Sequence, residues 1–117
     1  MKNIILVVLA SLFSFTMMAQ EKKNKNKKLI IKVAGNCSMC EKRIEKAAFS
    51  VKGVKDVEWH VNCQDLHLII DETKCTPEDA AKAIANIGHD TELVKAPDAV
   101  YEKLPACCKY ERNKSEK

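Results

Sequence analysis

Between Leu29 and Lys95 the hydrophobic pattern switches back and forth between a period of two and a period near 3.6, which restricts the chain to a small mixed fold of short strands and helices. Leu29, Ile31 and Val33 alternate with Ile30, Lys32 and Ala34, predicting a strand that Gly35 ends. Cys40, Ile44, Ala47, Ala48 and Val51 then recur at helical spacing, with Glu41, Lys42, Arg43, Glu45 and Lys46 on the opposite face and Gly53 as the stop. Val57, Trp59 and Val61 make a second alternating run and Leu66, Leu68 and Ile70 a third, and Asn62-Cys63-Gln64-Asp65 between them reads as a hairpin turn. Thr76-Pro77-Glu78-Asp79 supplies an N-cap, a proline at the first helical position and acidic residues in the first turn. Ala80, Ala83, Ile84 and Ile87 follow on one face, Gly88 stops that helix, and Asp90 to Lys95 forms a weaker last strand. The order βαββαβ predicts an α+β, ferredoxin-like sandwich, with a four-stranded antiparallel sheet carrying two helices on one face.

At 117 residues the chain has room for one such domain, expected over 29–95, and little else. Lys and Arg number 20 against 16 Asp and Glu, a balance too mixed to point to nucleic acid as a partner. The start of the chain, a lysine followed by an apolar run from Ile4 to Ala19, has the layout of a cleavable export signal, and is too short to cross a bilayer as a helix. Cleavage after Ala19 leaves a secreted or periplasmic domain with no stable membrane insertion. Residues 20–28, QEKKNKNKK, hold no apolar side chain and are expected to be a disordered basic linker. Residues 96–117 lose the pattern and form a tail around the adjacent pair Cys107-Cys108, with a frayed, charged end.

The chemistry centres on Gly35-Asn36-Cys37-Ser38-Met39-Cys40, at the junction of the first strand and the first helix. Cysteines three apart at such a junction turn both sulfurs toward one point, and the free N–H groups and dipole of the helix's first turn, where Cys40 falls, favour thiolate over thiol. A thiolate pair on a solvent-facing loop suits a soft cation and leaves room for a partner's ligand, so the ion passes by ligand exchange. An inert disulfide and a thiol oxidoreductase, which also uses Cys-x-x-Cys at a helix start, are the competing readings. Against the oxidoreductase, no tryptophan precedes Cys37 and the strand order is wrong; catalytic turnover in an insulin-reduction assay would favour it. No general base, nucleophile triad or phosphate loop is visible, so the chain does not read as an enzyme.

These residues resemble the heavy-metal-associated domain of copper chaperones, of copper-transporting P-type ATPases and of the small periplasmic mercury-binding protein. The resemblance covers about residues 29–95 and rests on Gly35-x-Cys37-x-x-Cys40, Ile44, Gly53-Val54-x-x-Val57 and Ala83-Ile84-x-x-Ile87-Gly88. It implies Cu(I), with Hg(II), Zn(II) or Cd(II) as alternatives, held by Cys37 and Cys40 and handed to a metal-efflux or scavenging protein, the chain being a monomer or a metal-bridged dimer. Asn36 departs from the methionine that many members carry before the first cysteine.

The first, third and fifth connections of this architecture share one end of the sheet, which brings Cys63 and His89 toward the loop. In the resembling family the residue after the glycine lies near the metal, so His89 is a candidate third ligand or pH-sensitive gate, against an exposed loop histidine. Cys63 reads as a bystander thiol, Met39 as a weak thioether at most, and His60 and His67 as surface residues on the face away from the helices. Cys107 and Cys108 form a second soft-metal site or, in part, a disulfide to Cys75; the tail is similar to vicinal-cysteine tails of some small exported members of the family.

Overall fold

The protein is described here by a computed structural model covering residues 23–112; the expected export signal, residues 1–19, lies outside the described residues. Strand β1 (Lys27–Lys32), helix α1 (Ser38–Phe49), strands β2 (Val54–His60) and β3 (Asp65–Ile70), helix α2 (Pro77–Ala85) and a short helix α3 (Asp98–Glu102) follow in order, with a 3-10 turn at Ala106–Cys108. The strands form an antiparallel sheet in the order β1-β3-β2. Period two places Leu66, Leu68 and Ile70 of β3 on the covered face with Ile31 and Trp59, where they meet Ile44 and Ala48 of α1 and Ala80, Ala81 and Ile84 of α2. Ile30 and His67, on the other face, are exposed.

Helix α2 begins at the N-cap read from the sequence, and the structure shows that the cap is reciprocal. The Asp79 N–H donates to Thr76 Oγ1 at 3.3 Å and the Thr76 N–H donates to Asp79 Oδ2 at 2.9 Å. Thr76→Ala is expected to cost about 1 kcal/mol, read as a lower urea midpoint at unchanged slope. Gly88 stops the helix with φ +106°, and the bonds from His89 N–H to Ile84 O and from Gly88 N–H to Ala85 O are the pair that defines a Schellman ending.

The structure departs from the sequence-based expectations in three places. The linker expected over 20–28 gives way to β1 at Lys27, where Lys27 and Lys28 pair with Ile70 and Ile69. A strand pairs through its backbone whatever its side chains, and lysines on an edge strand also deter pairing with other chains. Asn24 helps close this end, its carbonyl accepting from the Glu72 N–H at 2.9 Å.

The fourth strand, expected over Asp90–Lys95, is reduced to an isolated antiparallel bridge between Val33 and Thr91. Two backbone bonds flank it, Ala34 N–H to Asp90 O at 2.8 Å and Glu92 N–H to Lys32 O at 3.0 Å. Beyond that point the Thr91 hydroxyl oxygen accepts from the N–H groups of Leu93 and Val94, which curls the backbone into a turn and removes it from the sheet edge.

The tail from residue 96, expected to lack a pattern, folds back across the end of the sheet as far as Arg112. Leu104 packs on Gly88, and Cys108 and Tyr110 are buried. The Tyr110 hydroxyl donates to Gly88 O at 2.9 Å and accepts from the Asp90 N–H at 2.8 Å. Arg112 holds both Asp90 oxygens at 2.9 Å, reaches Asp98 at 2.7 Å, donates to Ala96 O and lies over the Tyr101 ring. Burial works against the Asp90 carboxylate, but Arg112, the Ala96 N–H and Tyr110 together outweigh it and hold the carboxyl below its usual range. This anchor is therefore complete above about pH 4 and is lost as pH falls through the lowered value. Amide protection over 104–112, taken relative to the intrinsic exchange rate at each pH, should fall only in that acid window.

Candidate metal centre

The loop that follows Ala34 is supported from below. Trp59 is fully buried, its indole N–H donates to Val33 O at 3.0 Å, and its ring lies so close under Gly35 that a Cβ there would sit 2.9 Å from the ring. The turn between β2 and β3 adds a second support, where Gln64, at φ 58°, donates through Nε2 to Gly35 O at 2.6 Å. Gly35→Ala therefore forces the indole or the loop to move, and is expected to cost about 1–3 kcal/mol, measured by urea unfolding.

Cys37 is the N-cap of α1, with extended backbone (φ −155°, ψ 173°) and no regular side-chain capping hydrogen bond. Cys40, one turn in, is fully buried. Their sulfurs lie 3.3 Å apart as free thiols. The Cys40 thiol donates to Asn36 Oδ1 at 3.3 Å, so the residue that departs from the family pattern contacts the site directly. Burial opposes ionisation of Cys37, but the Cys40 N–H, the thiols of Cys40 and Cys108 and the Met39 N–H outweigh it and draw the Cys37 thiol below its ordinary range.

A third sulfur completes the group. Cys108 Sγ lies 3.9 Å from Cys37 Sγ, and the sulfurs of Cys37, Cys40 and Cys108 all fall within 4.8 Å of one another. Cys108 thus sits in the loop site, where a separate second centre had been expected. Burial, and then the neighbouring Cys40 and Cys37 sulfurs, push its own thiol strongly upward. Cys107 stays exposed, 3.5 Å from the Met39 thioether, at the outer rim. Cys75 is buried against Gly53 and Cys63 is exposed in the hairpin turn; both are free, so no bridge from Cys75 pins the tail.

His89 is neither exposed nor a member of the sulfur group. The Schellman turn directs it inward, where Nδ1 donates to Ala34 O at 2.8 Å and the ring stacks on Tyr110, with centroids 5.5 Å apart. The carbonyl can only accept, so the proton is on Nδ1, and Nε2 is left as a buried lone pair without a partner. Burial holds the His89 pKa down, helped by Arg43 and opposed by the Ala34 carbonyl and Asp90. The unfolded chain takes up this proton more readily, so stability is full above about pH 6.5 and falls as pH drops below it. Urea unfolding at pH 7.5 and 5.5 should show that loss in the natural sequence and a smaller one in His89→Gln.

Sequence reasoning missed Tyr110, Arg112 and Gln64 as supports of the site. The available signal was a tail that interleaves Tyr101, Leu104 and Tyr110 with its charges, a pattern that can bury one side.

No protein-family model matches the sequence and no curated protein matches it closely, whereas solved structures share its fold. A CopZ metallochaperone is 23% identical, with a TM-score of 0.54, over 56% of this chain and 98% of the other. Oxidized MerP from Ralstonia metallidurans CH34 is 25% identical, with a TM-score of 0.55, over 57% and 94%. A putative copper-ion-binding protein from Bacillus anthracis str. Ames is 25% identical, with a TM-score of 0.54, over 57% and 96%. These neighbours are heavy-metal-associated-domain proteins, and this chain carries the paired cysteines of that resemblance, Cys37 and Cys40, at the start of α1.

Proposed function

We propose that the protein captures a soft metal ion through Cys37 and Cys40 and hands it to a protein partner by ligand exchange, with Cu(I) as the ion ahead of Hg(II), Zn(II) and Cd(II). The observation that carries this reading is a pair of free thiols 3.3 Å apart at a helix start, one half-buried and reachable and one enclosed. Soft sulfur donors select thiophilic ions over hard ones, and a half-exposed ligand lets a partner's sulfur enter before the protein's own leaves. A metallochaperone and a copper-ion-binding protein among the structural neighbours favour copper. The apolar run at Ile4–Ala19 supports export to an oxidising compartment, where the mature chain begins at Gln20, and the efflux or scavenging partner is sought there.

The test is anaerobic titration of the reduced mature chain with Cu(I), Hg(II) and Zn(II), each against a competing chelator. The expected result is one tightly held equivalent of Cu(I), retained at chelator concentrations that strip Zn(II). Preference for Zn(II), or for none of the three, contradicts the proposal. If Hg(II) is held while Cu(I) is lost, the function becomes mercury scavenging.

A further inference from the structure

We propose that Cys108 is a third thiolate ligand, so that the C-terminal segment closes the Cys37–Cys40 loop into a three-sulfur centre for a soft ion. This rests on the metal-capture reading above and adds to it a ligand supplied by the chain's own tail. The distances favour it. Sulfur sits about 2.3 Å from a bound metal of this kind, so a linear two-sulfur site needs its sulfurs about 4.6 Å apart, whereas a trigonal one needs edges of about 4 Å. Cys37 and Cys108 are already 3.9 Å apart, and Cys37 and Cys40, at 3.3 Å, lie nearer the trigonal edge than the linear span. All three sulfurs fit within 4.8 Å, so a trigonal ion is reached by small side-chain adjustments.

Contacts that do not involve the sulfurs hold the third donor in place. Leu104 on Gly88, the Tyr110 hydroxyl between Gly88 and Asp90, and Arg112 across Asp90 and Asp98 fix the chain on both sides of Cys108. The turn is also tied at Cys108 itself, whose N–H donates to Pro105 O at 2.8 Å. Much of the ordering entropy of the third ligand is therefore met by folding, before metal arrives. On binding, the ion displaces the thiol protons, which pass to water, and forms three metal–sulfur bonds with no change of oxidation state. The outer Cys107 and Met39 sulfurs stay outside this inner group.

X-ray absorption at one equivalent of Cu(I) on the reduced chain tests the assignment. Three sulfur neighbours are expected for the natural sequence and for Cys107→Ser, and two for Cys108→Ser, with one ion per chain throughout. The Cys108→Ser protein should also lose Cu(I) to a competing chelator at least about tenfold more readily, the scale on which outer-sphere changes alone act. Two sulfurs in the natural sequence, or three retained in Cys108→Ser, overturns the proposal while leaving metal capture by Cys37 and Cys40 standing. If the natural sequence binds no Cu(I), both fall together. Should serine at this buried position disturb the fold, Cys108→Ala, checked by circular dichroism, provides the same comparison without a buried hydroxyl.

Discussion

Cys37→Ser combined with Cys40→Ser should abolish tight Cu(I) binding, lowering affinity by more than about 100-fold, since changes outside the ligand sphere already cost 10- to 100-fold. The single sulfur left in the group, Cys108, cannot hold a soft ion against a chelator. Cys40 is fully enclosed, so its serine buries a hydroxyl; Asn36 Oδ1, which accepts from the thiol at 3.3 Å, remains within reach as its partner. The fold should survive with a loss of about 1–3 kcal/mol. Cys63→Ser and Cys75→Ser, whose sulfurs stand apart from the group, should bind as the natural sequence does. Competition titrations of these variants, with circular dichroism to confirm folding, check the expectation.

Trp59→Ala should give the largest loss of stability of any single change, about 3–5 kcal/mol, against the 5–15 kcal/mol total of an ordinary domain. The indole is fully buried and fills the floor under Gly35, and its N–H satisfies the Val33 carbonyl at the point where β1 leaves the sheet. Removing it leaves a cavity below the loop and an unpaired carbonyl, so metal retention should fall together with stability. Trp59→Phe keeps most of the packing but loses the hydrogen bond, and should cost about 1–3 kcal/mol. Trp59 is the sole tryptophan, so both unfolding curves have to be followed by circular dichroism.

The parts of this fold that local periodicity and caps determine were readable along the chain. The alternation at Leu66, Leu68 and Ile70, the cap at Thr76 and the stop at Gly88 each encode their element within a few residues. The placement of Cys37 and Cys40 was equally local, because a strand end, a glycine and a helix start occur in sequence there. What could not be read depends on contacts between distant residues. Thr91 competes for its own backbone and converts a strand into a bridge, an outcome that short hydrophobic runs do not distinguish. The path of the tail is set by Arg112 on Asp90, Tyr110 on Gly88 and Leu104 on the same glycine, each spanning a gap in sequence that composition does not connect. For that reason Cys108, expected in a second centre with Cys107 or in a disulfide to Cys75, lies instead beside Cys37. His89 was placed at the correct end of the sheet, but the inward turn after Gly88 and the Ala34 carbonyl bury it.

The most direct test of soft-ion capture is to dialyse the folded, reduced chain, loaded with one equivalent of Cu(I), against a large excess of a small thiol under anaerobic conditions. Copper remaining with the protein at one ion per chain, and released when Cys37 and Cys40 are alkylated, is the predicted result. Copper that distributes between protein and small thiol in proportion to their sulfur concentrations would contradict it.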